Sequence, residues 1–125
     1  MNKNKEQKLN LKAFKYMERA KDKLKGSVIM NIFSSKEDRL DEGLNLFEKA
    51  LECYRKIENW MECGLTCLEC SAVSELQDNQ IKAIDYYIKA GKYFWKIKDN
   101  ENALFAYKKA IDLCKGNNDF ASVIL

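Results

Sequence analysis

Residues 43–54 (GLNLFEKALECY), 63–74 (CGLTCLECSAVS), 83–94 (AIDYYIKAGKYF) and 103–114 (ALFAYKKAIDLC) align without a gap at a spacing of 20. The first column holds only small residues, Gly43, Cys63, Ala83 and Ala103, and so does the eighth, Ala50, Cys70, Ala90 and Ala110. The fifth column holds Phe47, Cys67, Tyr87 and Tyr107, and the twelfth Tyr54, Ser74, Phe94 and Cys114. Positions 0, 4, 7 and 11 share one face of an α-helix, because 3.6 residues make a turn. Each unit is therefore one helix and its turn, and two units make a pair of about 40 residues, a period of stacked helical repeats. Small residues at the crossings let helix axes approach to the short end of the usual range of about 8–10 Å.

Working outward, the chain of 125 residues has no Pro, five Gly and 33% charged residues, which suits long helices and an all-α class. Its length fits a single domain with one core, 1–125. The predicted helices are 7–25, 36–57, 60–76, 80–97 and 101–115, with a sixth starting near Phe120, so the end reads as a truncation that leaves helix five partly uncovered. Ala13, Met17, Ala20 and Leu24 repeat the same face in the first helix, but ten residues too early. The surplus lies in 26–35, between a helix-ending Gly26 and a capping Ser34 or Ser35. It contains Val28, Ile29, Met30, Ile32 and Phe33, an anomalous apolar load for a loop. Two readings stay open: a lid folded back on the first helices, or a loop that meets a membrane or partner.

Residues 1–25 carry nine Lys and Arg against three Asp and Glu, whereas the remainder has 13 basic and 16 acidic residues. The N-terminal end is thus the basic end, suited to an anionic surface or to plain solvation. It has no apolar signal-peptide core, and no stretch approaches 18 apolar residues. Five cysteines without a secretory context read as reduced thiols.

Two chemical readings are set aside. Cys63, Cys67 and Cys70 have the spacing of an iron–sulfur motif, but they occupy the core columns of Gly43, Phe47 and Ala50, where a free thiol packs as a small apolar group. With no His in the chain, imidazole metal sites and His-based nucleophilic pairs are excluded, and no phosphate-cradling Gly loop is present. No metal, no cofactor and no enzymatic activity are expected. The aromatic run Tyr86, Tyr87, Tyr93, Phe94 and Trp95 reads as core and inter-helix wedges rather than a base-stacking surface for nucleic acid.

Phe47-x-x-Ala50, Tyr54, Asn59-Trp60, Gly64, Ala90-Gly91-x-x-Phe94 and Asn102-Ala103-x-x-x-Tyr107-x-x-Ala110, together with a hydrophobic loop after a basic first helix, resemble the N-terminal part of the soluble NSF attachment proteins. The resemblance implies a right-handed superhelix of antiparallel helical hairpins, a TPR-like α-solenoid with long units. It implies an adaptor in SNARE complex disassembly during membrane fusion and vesicle transport, cytoplasmic and peripheral to the membrane. Such an adaptor binds the SNARE complex through basic residues, touches the membrane through the loop containing Val28, Ile29, Met30, Ile32 and Phe33, and recruits the NSF ATPase through C-terminal repeats that have no counterpart here. Glu58 departs from the family, which usually has a basic residue before Asn-Trp, whereas Lys96 matches a basic position, as in a divergent member. The candidate SNARE-binding stripe is Lys82, Lys89, Lys92 and Lys96 on helix four, with Lys108, Lys109 and Lys115 as an extension on helix five. The competing reading is a generic helical-repeat scaffold that grips a peptide or helix of another protein.

Overall fold

A computed structural model of the chain describes residues 1–26 and 35–116. They form α1 (Lys3–Lys25), α2 (Lys36–Lys56), α3 (Trp60–Leu76), α4 (Gln80–Lys96) and α5 (Asn100–Lys115), with no strand among the described residues. The predicted loop residues Val28, Ile29, Met30, Ile32 and Phe33, and the sixth helix from Phe120, lie outside the described residues.

Three turns set the repeat. After α2, α3 and α4 the chain passes through Glu58, Asp78 and Lys98, all in the left-handed region with φ of 56°, 58° and 61°. The next residues, Asn59, Asn79 and Asp99, donate their backbone N–H to the carbonyls of Tyr54, Ser74 and Phe94, closing a Schellman motif each time. Their side chains then accept from the backbone N–H of Glu62, Lys82 and Asn102, so one residue closes a helix and caps the next. Identical turns 20 residues apart reverse the chain by the same amount each time. Antiparallel helices at a fixed register follow.

Alternate helices lie side by side, which gives two rows. Thr66 of α3 donates to the sulfur of Met17 in α1 at 3.6 Å, and Tyr86 of α4 donates to Glu48 of α2. Leu68 of α3 packs with Ile84 and Tyr87 of α4 and Ala110 of α5. Glycines sit where helices meet: Gly43, in the first small column, faces Leu24 and Ala20 of α1, while Gly64 and Gly91, each one column beyond a small one, face the ring of Phe94 and Tyr107. All eight small-column residues are buried. The first helix joins the stack as expected, with Ala13, Met17 and Ala20 buried and Leu24 against Gly43. The resulting fold is an all-α, TPR-like helical solenoid.

Some expectations need correction. The first helix starts at Lys3 rather than at 7, because the Asn2 side chain caps it by accepting from the Lys5 N–H at 2.8 Å. Trp95 is 62% exposed and wedges nowhere, whereas Tyr86 is buried and Tyr93 stacks on Trp60, with centroids 5.7 Å apart and planes at 12°. Ser35, not Ser34, caps α2, accepting from the Asp38 N–H at 3.1 Å. Part of the apolar face of α5 is exposed. Leu104 and Ile111 stand in the columns of Leu44, Gly64 and Ile84, and of Leu51, Ser71 and Gly91, all buried, yet they are 66% and 53% exposed.

Candidate functional site on helix α4

All four lysines of the predicted stripe, Lys82, Lys89, Lys92 and Lys96, are exposed on α4. Lys82, Lys89 and Lys96 follow one another at intervals of seven and so form a line along the helix, with Lys92 on its flank. Their surroundings differ. Lys82 lines a cleft against α2 together with Asp41, Leu44, Asn45, Glu48 and Tyr86. Lys89 pairs with Asp85 at 3.0 Å and lies 5.5 Å from the Tyr86 ring centroid. The Asp85 hydrogen bond, together with the negative fields of Asp85 and Glu48, raises the Lys89 pKa against the opposing effect of burial. Lys96 lies 4.4 Å from the centroid of Trp60, a cation–π contact within the Trp60–Tyr93 stack. Lys92 makes no ion pair among the described residues. Of the four, only Lys89 is ion-paired among the described residues; Lys82 shares its cleft with Asp41 and Glu48, whereas Lys92 and Lys96 have no such carboxylate pairing there.

The neighbour of this stripe is α2, not α5. Tyr107 of α5 packs against Gly91, on the side of α4 away from Lys82 and Lys89, and Lys109 sits 5.8 Å from Phe105 of its own helix. Lys108, Lys109 and Lys115 thus belong to a helix on the other flank. On α2 the stripe meets Glu48, bonded to Tyr86, and Arg55, which pairs with Glu52 at 3.3 Å and lies near Tyr93. The membrane-binding candidates lie outside the described residues, and no helix among the described residues is long and apolar enough to cross a membrane.

The three central cysteines are fully buried, as expected for core columns. Burial pushes the Cys63 thiol up to about 11 and the Cys67 thiol up to about 12, and it raises Cys70 as well. Such thiols are neutral packing groups. Among the described residues no three His, Cys, Asp or Glu side chains are arranged to hold a metal ion.

A basic cluster on α1 and α2 was not among the sequence-based candidates. Lys12, Arg19 and Lys49 surround the ring of Tyr16 at 6.0, 5.8 and 5.9 Å from its centroid. The spacing of Lys12, Tyr16 and Arg19 put them on one helix face, which was legible, whereas Lys49 arrives only through the packing of α2.

Exposed cations on a solenoid of buried small-residue columns define a helical-repeat scaffold that presents a surface, with no catalytic constellation among the described residues. The family model described as "Soluble NSF attachment protein, SNAP" matches residues 11–122. The chain belongs to the soluble NSF attachment protein family, a family of adaptors rather than enzymes. No curated protein and no solved structure matches it.

Proposed function

We propose that this chain is an adaptor in SNARE complex disassembly, laid along the assembled helical bundle through α4. Family membership over residues 11–122 is the observation that carries this reading. The stripe supports it in kind: a bundle with acidic outer faces would offset the mutual repulsion of Lys82, Lys89, Lys92 and Lys96. The uneven pairing of the four lysines ranks them, with Lys92 and Lys96 available and Lys89 partly committed to Asp85. The segment holding Val28, Ile29, Met30, Ile32 and Phe33 would supply the membrane contact, making the protein cytoplasmic and peripheral, and recruitment of the NSF ATPase would fall to further repeats of the family's solenoid.

Rim charges act mainly through association rate and salt dependence. Titrating an assembled SNARE complex at two ionic strengths should therefore show weaker, less salt-dependent binding for the Lys92→Glu, Lys96→Glu variant than for the wild type. Equal affinities at low salt would remove α4 as the contact face. A generic scaffold remains the second reading, favoured by the mixed charge of the α2–α4 cleft, where Asp41 and Glu48 stand with Lys82.

A further inference from the structure

We infer that the α1–α2 seam carries a second anion site, built around Tyr16, for a multiply phosphorylated group, and this inference is independent of the SNARE reading. Lys12 and Arg19 bracket Tyr16 on α1, and Lys49 reaches the same ring from α2, so three cations from two helices converge within 6.0 Å of one centroid. One aromatic ring does not offset three positive charges that also repel one another. Carboxylates on the same stretches of chain are engaged elsewhere. Glu18 pairs with Lys21, Asp22 with Lys25, Glu42 with Lys23 and Glu52 with Arg55, while Glu48 accepts from Tyr86. Neither Lys12, Arg19 nor Lys49 makes an ion pair among the described residues.

The shape of the cluster selects the ligand. Convergence on one point suits a compact, highly charged group rather than a long acidic helix, which a linear stripe such as that of α4 serves better. A guanidinium fork matches phosphate oxygens bidentately, and flanking ammonium groups add point charges. Lys8 and Lys15, both exposed and each four residues before Lys12 and Arg19, extend the patch along the same face of α1, enough for more than one phosphate. A phosphoinositide headgroup and a soluble inositol phosphate share this chemistry.

The test uses the full chain, inositol 1,4,5-trisphosphate by calorimetry, and flotation with phosphatidylcholine vesicles. One vesicle set carries phosphatidylinositol 4,5-bisphosphate and the other phosphatidylserine at matched surface charge. Wild type should bind the trisphosphate saturably at one site. The triple variant Lys12→Gln, Arg19→Gln, Lys49→Gln should lose about tenfold or more in affinity. A control of equal net charge, Lys82→Gln, Lys89→Gln, Lys92→Gln, should bind as wild type. All six positions are exposed, and circular dichroism checks that both triples stay helical. Preference for the bisphosphate vesicles as well identifies a lipid headgroup as the source, and binding of the soluble trisphosphate alone identifies a free anion. Absence of saturable binding to either, or equal weakening by the two triples, overturns the site.

Discussion

Cys63, Cys67 and Cys70 show how a single side chain serves the stack. Each is fully buried in a column filled by a small or aromatic residue in the other units, and burial raises all three thiol pKa values from the ordinary 9.0. An acid with a raised folded pKa keeps its proton when the unfolded chain has lost its own, so unfolding releases protons and rising pH favours it. Stability should thus hold below pH 9 and fall from about pH 9 upward, by roughly 1 kcal/mol per pH unit for each such thiol. Chemical denaturation at stepped pH checks this, and substituting Cys67 by Ala should reduce the slope. Gly64 makes a complementary case. A Cβ there would lie 2.7 Å from Cζ of Phe94, whose ring is fully buried and has nowhere to move. Gly64→Ala should cost about 1–3 kcal/mol by overpacking, read from the denaturation midpoint.

At the level of elements, turns and helices divide the work. Helices were legible because small and large residues recur at 0, 4, 7 and 11, and that periodicity survives without any knowledge of neighbours. The capping of α1 by Asn2 was missed because a Lys-rich start carries no apolar periodicity to mark it. Left-handed residues in the turns were not legible either, since Glu58, Asp78 and Lys98 are not glycine and bear no local mark of a positive φ. A left-handed conformation costs a non-Gly residue about 1–2 kcal/mol. Part of that is recovered on substitution by glycine, against the greater freedom glycine gives the unfolded chain. Lys98→Gly, at an exposed turn, should accordingly stabilise the protein by about 0.5–1 kcal/mol, measured as a rise in Tm, whereas a fall would mean that the turn is held by the lysine side chain itself.

On the scale of the whole molecule, the two rows decide which charges share a face. The four lysines of α4 were visible in sequence as a stripe, but their neighbour was not, because the contact between Tyr86 and Glu48 joins residues 38 apart. Packing places acidic groups of α2 and Trp60 of α3 beside the stripe and sends α5 to the opposite flank. The same long-range packing brings Lys49 to Tyr16, which no local pattern announces. A solenoid whose units contact only their neighbours can thus carry separate charged surfaces, each assembled from adjacent helices.

In the proposed function the α4 face meets the SNARE bundle. Placing a photo-crosslinking phenylalanine analogue at Lys92 and, separately, at Lys108 on the far flank tests it most directly, since both positions are exposed. With assembled SNARE complex present, crosslinks should form from position 92 and be suppressed at high salt, with few from position 108. Crosslinks from position 108 and none from position 92 would contradict the account.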